Sequence, residues 1–468
     1  MNVLVGRKDE IAQIEQCYNS QQSEFVVVYG RRRVGKTYLV NKTFKNRFTF
    51  RYVGGHNLTE SEQLRNFAIA LKEYSKTTYL SPLSSWIDAF EILRQYLSAL
   101  PAKRRKVIFI DEMPWIDTPG SKFVKAFENF WNGWAALRED ILLVASGSAT
   151  SWMADKLFAN QGGLYNRVTR QIYLRPFTLA EVEKYMLAKG GKWDRYQVLQ
   201  LYMVMGGIPY YLSLVDFKKS LAQNIDELFF AKNAKLRMEF DELYKVLFNS
   251  ADKYISIVKA LSGTQSGLTR QQLSEKTNMQ GGVFSKMLSN LERCDFVISF
   301  AHYNRKIKNT IYKLSDPYTL FYFRFIENDK SKDPHFWTHN IKNPSFSVWQ
   351  GYTFELVCLL HIEQIKRKLG INGMATAVST WRDDTSQIDM IIDRADGMLN
   401  VCEMKFSVLP YTLDKKYYDK ILERTAAFCT AAKINKGVLQ TFVTTYGLAN
   451  NKYSSLIDNQ IVADDLFA

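Results

Sequence analysis

Gly30-Arg31-Arg32-Arg33-Val34-Gly35-Lys36-Thr37 follows the spacing G-x-x-x-x-G-K-[ST]. Before it, Glu24 to Tyr29 (EFVVVY) reads as a short buried strand; after it, Tyr38 to Phe44 (YLVNKTF) reads as the start of a helix. A strand, a glycine-bounded loop and a helix in that order form a cradle for phosphate. The glycines let the backbone turn tightly, and the loop N–H groups and the helix N-terminus then face an anion. In that geometry Lys36 reaches the β- and γ-phosphates and the Thr37 hydroxyl ligates Mg²⁺. Gly30, Arg33, Val34, Gly35, Lys36, Thr37 and Tyr38 are therefore the candidate nucleotide contacts.

Downstream, Lys106-Val-Ile-Phe-Ile-Asp111-Glu112 is an apolar strand ending in two acids. Phosphoryl transfer needs one acid on the metal or its water and a second group to orient the attacking water. Asp111 suits the first role and Glu112 the second. Ile141 to Ser148 (ILLVASGS) is another buried strand with small polar residues at its end. Sheet ligands gather at the carboxyl ends of parallel strands, so Ser146 or Ser148 is placed to contact the γ-phosphate or its water, or simply ends the strand in a turn.

The chain has 468 residues, 46% of them hydrophobic and 14% aromatic, which predicts a globular protein of two to four domains. A net charge of +15 favours a polyanionic partner, usually nucleic acid, with solubility alone as the alternative use of a basic surface. The cysteines Cys17, Cys294, Cys358, Cys402 and Cys429 are odd in number and form no CxxC pair, so neither a disulfide framework nor a thiolate zinc site is indicated, which fits a reducing cytoplasm. The five histidines show no HExxH spacing; His335 and His339 stand four apart and read as surface residues. The first residues do not resemble a signal peptide, and no apolar run nears the ~18 residues of a membrane span.

Up to about residue 175, strands at 24–29, 48–53, 106–111, 141–146 and 171–174 alternate with helical stretches, which predicts an α/β fold with a parallel sheet. From 178 to 250 the pattern is helical, broken at Gly206-Gly-Ile-Pro209. From 252 to 315 the order is helix, turn, helix and hairpin, the last around 296–300 and 310–314 and joined by the basic run Tyr303-Asn-Arg-Lys-Ile-Lys308. That order predicts a winged helix, which either reads DNA with its second helix or serves as a joint; Lys286 is the one strongly basic residue on that helix. Asp329 to Pro334 reads as a linker, and a second α/β unit follows, with a helix from Val348, strands near 373–380, 386–393 and 399–405, a helix near 415–431 and a strand near 437–443.

This second unit carries another set of acids. Gln387-Ile-Asp389-Met-Ile-Ile-Asp393 and Asn400-Val-Cys-Glu403-Met-Lys405 are successive strands, and Glu403 and Lys405, two apart, share one face. If Arg394 pairs with Met398 across Ala395-Asp396-Gly397, Asp389 lies opposite Glu403; another loop would turn Asp389 to the other face. Opposed carboxylates repel unless a cation lies between them. A divalent ion held by Asp389, Glu403 and Glu355 of the preceding helix, with Lys405 orienting water, is the arrangement that phosphodiester hydrolysis uses, and a salt-bridge ladder is the alternative.

Together these residues resemble a prokaryotic family of P-loop ATPases close to the STAND and AAA+ groups, whose C-terminal domain is similar to PD-(D/E)xK nucleases. Gly30 to Thr37 matches its Walker A motif, Ile110-Asp111-Glu112 its Walker B motif and Ser146-Gly147-Ser148 its sensor strand. Val5-Gly6-Arg7 falls in the N-terminal box whose backbone lies near adenine, and Gly206-Gly-Ile-Pro209 matches an element that contacts adenine through Pro209. Leu164-Tyr-Asn-Arg167 resembles the family's L-Y-G-R, with Asn166 in place of glycine, which implies a γ-phosphate-sensing role for Arg167, or else Arg170. Glu355, Asp389, Glu403 and Lys405 match the nuclease-like pattern. The resemblance implies an ATPase core at 1–177, a helical lid at 178–250, a winged helix at 251–330 and a restriction-endonuclease-like domain at 331–468. It further implies ATP and Mg²⁺ at the first site, Mg²⁺ or Mn²⁺ at the second, DNA as partner and an arginine supplied in trans by a homo-oligomer. A nucleotide-switched regulator whose C-terminal domain binds without cutting is the alternative.

Overall fold

The computed structural model describes residues 4–78, 81–101, 105–148, 150–158, 163–303, 309–341, 343–383 and 385–468. They divide into two compact units, Met1–Pro176 and Phe177–Ala468. The basic run after Tyr303 lies outside the described residues.

The first unit is built on five parallel strands: β1 (Glu24–Tyr29), β2 (Phe48–Val53), β3 (Lys106–Asp111), β4 (Ile141–Gly147) and β5 (Arg170–Tyr173), in the order β2-β3-β4-β1-β5. The three central strands are apolar without alternation, and all but the end of β1 is buried, as helices on both faces of a parallel sheet require. On one face Phe25, Val27, Phe50 and Ile108 pack against Phe67, Trp86, Phe90, Phe127 and Trp131. The helices there start at polar caps: Thr59 and Glu62 form a reciprocal capping box, and Ser85 accepts from the Asp88 N–H. The strand order matters for the site, because β4 lies between β1 and β3. Val28 pairs with Ser146 and Ile110 with Ala145, so the end of β4 delivers its serines between the loop after β1 and the acids after β3.

The second unit opens with helices between Leu179 and Leu247. Gly206, at φ 65°, ends one of them, and a Cβ on Gly207 would stand 1.9 Å from the Phe177 carbonyl oxygen. That contact makes glycine obligatory there, and Pro209 then opens the next short helix. Helices Arg270–Thr277 and Gly281–Arg293 follow, with β6 (Leu268–Thr269), β7 (Val297–His302) and β8 (Ile311–Leu314). Beyond them come helix Pro344–Leu360, β9 (Thr376–Arg382), β10 (Gln387–Arg394), β11 (Met398–Lys405), helix Lys415–Ala432, β12 (Gly437–Thr444) and β13 (Asn459–Val462).

The β7–β8 hairpin does not form a sheet of its own. Ala301 and His302 of β7 pair with Ser379 and Thr380 of β9, so one sheet runs β13-β12-β11-β10-β9-β7-β8-β6. The His302 ring sits between the Tyr303 and Arg382 carbonyls at 3.1 Å from each. The polar stretch read as a linker is tethered as well: the Asp329 side chain is 2% exposed and pairs with Arg237 at 3.3 Å. Across the β10–β11 hairpin, Met390 pairs with Cys402 and Asp393 with Leu399, the register in which the next outward pair is Asp389 and Glu403.

Candidate nucleotide site and C-terminal carboxylates

The loop after β1 is held by two glycines in left-handed backbone. Gly30 has φ 139°, and a Cβ there would come within 2.4 Å of the Leu174 carbonyl oxygen; Gly35 has φ 93° at the N-terminus of helix Lys36–Phe44. Lys36 is buried, and its ammonium donates to the Gly30 and Arg31 carbonyls at 3.0 and 2.9 Å. The loop thus folds around its own lysine, and the charge stays at the position where phosphate oxygens would meet it. Arg33 takes φ 75°, and Val34 is buried beneath the loop. Tyr38, on the first turn of the helix, is half-buried.

Thr37 and Asp111 meet across the end of the sheet. The Thr37 hydroxyl donates to Asp111 Oδ1 at 3.1 Å, and the Ser146 hydroxyl donates to the same oxygen. Burial pushes the Asp111 carboxyl above its ordinary pKa; the Glu112 charge adds to this, while hydrogen bonds from Ser146 and Thr37 oppose it. A buried carboxylate beside a helix-N-terminal threonine hydroxyl is a donor pair that fits Mg²⁺. Glu112 follows in a left-handed conformation, φ 48°, and its Oε2 accepts from the Ser148 N–H at 3.1 Å and the Ser148 hydroxyl at 2.9 Å. The two carboxylates at the end of β3 are therefore each held by a serine, Asp111 by Ser146 at the end of β4 and Glu112 by Ser148 just after it.

Of the other expected contacts in this unit, Gly6 and Arg7 are consecutive left-handed residues, φ 65° and 61°. The Arg7 guanidinium donates to the Arg175 carbonyl at 2.6 Å, and Val5 is buried beside them. Asn166 has φ 56°, a conformation that asparagine tolerates almost as glycine does, so its replacement of glycine leaves that turn feasible. The next residue, Arg167, is exposed, while Arg170 lies on β5 and contacts Gln16 at 3.3 Å.

In the second unit, Glu355, Asp389, Glu403 and Lys405 come to one region, and each acid already has a basic partner. The Lys313 ammonium, from β8, donates to Glu355 Oε1 at 2.6 Å and stands 3.8 Å from Asp389 Oδ1. Glu403 pairs with Lys405 at 2.8 Å, and its other partners are the Arg424 guanidinium and the Tyr417 hydroxyl from helix Lys415–Ala432. Burial, with the Asp389 charge adding to it and Lys313 opposing, pushes the Glu355 carboxyl up to about 7. Burial acts the same way on Glu403, but Lys405 and Arg424 outweigh it and hold that carboxyl below its ordinary range. Among the described residues no group of three or more His, Cys, Asp or Glu is arranged to hold a metal ion. The three acids match a divalent cation in chemistry, but as arranged they do not fit one, because lysine and arginine lie against them.

Comparison with known proteins bears on the N-terminal part of the chain. Residues 4–215 match the family described as an ATPase domain predominantly from Archaea. The chain carries an archaeal-type ATPase domain. An uncharacterized protein of Methanocaldococcus jannaschii is 24% identical over 433 residues, 90% of this chain and 92% of that one. An uncharacterized ATP-binding protein of the same organism is 40% identical over 45 residues, 10% of this chain and 76% of its own. Among solved structures, a Walker-type ATPase of Pyrococcus abyssi is similar with a TM-score of 0.50 and 16% identity, covering 69% of this chain and 96% of that one, a likeness of fold. The ATPase domain is one that binds and hydrolyses ATP. Among the described residues no helix is long and apolar enough to cross a membrane.

Three residues escaped sequence reasoning. Tyr417 and Arg424 are seven apart, two helical turns, so a shared face toward Glu403 was a readable signal. Lys313 interrupts the apolar strand Ile311-Tyr-Lys-Leu314, and a lysine that is 2% exposed in such a run requires an acidic partner. Ser146, which the sequence offered with Ser148 as a contact for the γ-phosphate or its water or as the turn that ends the strand, donates its hydroxyl to Asp111.

Proposed function

We propose that the chain is an ATP-hydrolysing, nucleic-acid-acting protein in which the nucleotide state of the ATPase domain controls the C-terminal, nuclease-like unit. The observation that carries the ATPase half is the pairing at the end of β3: Asp111 with Thr37 and Ser146, Glu112 with Ser148. Thr37 and Asp111 would hold Mg²⁺, which neutralises charge on the transferred phosphoryl group. Lys36 shifts from the loop carbonyls to the β- and γ-phosphates. Glu112 orients the attacking water, and Ser148 sets the position of Glu112. Arg167 senses the γ-phosphate, in trans in a homo-oligomer, while Val5, Gly6 and Arg7 form the adenine side.

For the C-terminal unit, the helix–β–β–β–helix–β order and the convergence of Glu355, Asp389, Glu403 and Lys405 support a nuclease-like domain acting on DNA. The winged-helix reading of residues 251–330 and the net charge of +15 support nucleic acid as partner. The second reading is a nucleotide-switched regulator that binds DNA or protein without cutting it. One observation favours it: every acid of the set already has a basic partner. The test is plasmid and single-strand cleavage with Mn²⁺, with and without ATP, on wild type and Asp389→Ala/Glu403→Ala. Cleavage by wild type alone supports the first reading. ATP turnover without cleavage under any of these conditions supports the second.

A further inference from the structure

Lys313 stands where the resemblance to a metal-dependent nuclease calls for a divalent cation. Its side chain is 2% exposed, and its ammonium lies 2.6 Å from Glu355 and 3.8 Å from Asp389. Two neighbouring carboxylates need positive charge between them, and a buried lysine needs carboxylates around it. Each side satisfies the other without a metal. Lys313 belongs to neither strand nor helix of the acid set. It comes from β8, which pairs with β7, and β7 alone joins that hairpin to β9. The hairpin is thus the part of the sheet whose position sets where this cation lies.

We propose that Lys313 takes the place of the divalent cation at the Glu355–Asp389 pair, so that the C-terminal unit binds no Mg²⁺ or Mn²⁺ there while β8 stays in place. The acid set is then closed by charge substitution: the ammonium must leave before a metal can enter, and a nucleic acid or conformational change that draws β8 away would open it. The inference rests on the nuclease-like reading for the use made of the cation, and on the Lys313 contacts for the substitution itself.

The test is Mn²⁺ binding to the full-length protein without nucleotide, in an Asp111→Asn background that weakens metal binding at the ATPase site. Titration calorimetry and thermal unfolding are the readouts. Lys313 intact should show no Asp389-dependent Mn²⁺ site at millimolar concentration. Lys313→Met should gain one equivalent, with a raised Tm, and Lys313→Met/Asp389→Asn should bind about 10-fold or more weakly again. Lys313→Arg, which keeps the charge, should gain none. A folded Lys313→Met that takes up no Mn²⁺, or an Asp389-dependent Mn²⁺ site in the Lys313 protein, overturns the proposal. If Lys313→Met unfolds without metal, recovery of the folded state in Mn²⁺ supports the proposal and failure to recover overturns it. Cleavage is scored separately, with Asp111 intact. Mn²⁺ uptake by Lys313→Met without any cutting of DNA refutes the nuclease reading and leaves the substitution standing.

Discussion

Replacing Glu112 by Gln isolates the charge at the end of β3 while sparing its geometry. The carboxylate accepts through one oxygen, Oε2, from the Ser148 N–H and hydroxyl at 3.1 and 2.9 Å. A glutamine amide oxygen can accept both bonds, so side-chain position and fold are retained, and a stability change of at most about 1 kcal/mol is expected. Nucleotide contacts run through Lys36, Thr37 and the loop, none of which changes. What disappears is the anion that orients and polarises water, and positioned general-base groups contribute about 10²- to 10⁴-fold. That corresponds to roughly 3–5 kcal/mol of barrier, since each tenfold is ~1.4 kcal/mol. The assay is phosphate release at saturating Mg-ATP beside fluorescent-nucleotide binding. The expected result is unchanged affinity with turnover down by at least about 100-fold. Turnover within a few-fold of wild type would refute the assignment of Glu112.

Other outcomes follow from the same geometry. Gly30→Ala should abolish nucleotide binding and lower Tm, because φ 139° strains any Cβ and the Leu174 carbonyl lies 2.4 Å from it; native-like binding by that variant would contradict the loop geometry. His361 is buried, accepting from the Leu179 N–H and hydrogen-bonding the Val357 carbonyl, and burial lowers its pKa to about 4. Its contribution is complete above pH 6.5, is lost as pH falls through about 4, and amounts to about 3 kcal/mol, so His361→Gln should flatten the acid limb of urea-unfolding stability. Glu355 has the opposite sign. It faces Lys313 from β8, Asp389 from β10 and Glu403 from β11, and with its pKa raised from 4.5 to about 7 its contribution is present below 4.5 and lost as pH rises through 7. Glu355→Gln should therefore steepen the acid loss that His361 causes, and a stability profile unchanged by either substitution would count against both assignments.

Much of the first unit was legible because its signals are local. Strands such as Glu24–Tyr29 and Lys106–Asp111 are buried on both faces, so their apolar runs carry no competing periodicity, and both begin and end where expected. The β10–β11 register was legible for a similar reason: a three-residue turn with Gly397 at φ 82° leaves one pairing, and that pairing brings Asp389 toward Glu403. β13 was missed because four residues at an edge carry too little pattern. The joining of β7 to β9 was missed because two paired positions leave no periodic trace in either strand.

The same distinction explains why only the acidic half of the C-terminal site was visible. Asp389, Glu403 and Lys405 lie on adjacent strands, and their relation follows from one turn. Lys313 precedes its partner Glu355 by 42 residues, and it reaches the acids through a pairing between strands that the chain does not join locally. A D…E-x-K pattern therefore locates a concentration of negative charge, whereas the ion that balances it is set by the neighbouring strand. In this chain that strand supplies a buried ammonium, so the acids, read by themselves, point to a metal that the complete fold does not require. Gain of a metal on removing Lys313 would show that the acids kept their capacity to bind one. No gain would show that the salt-bridge ladder is their structural role.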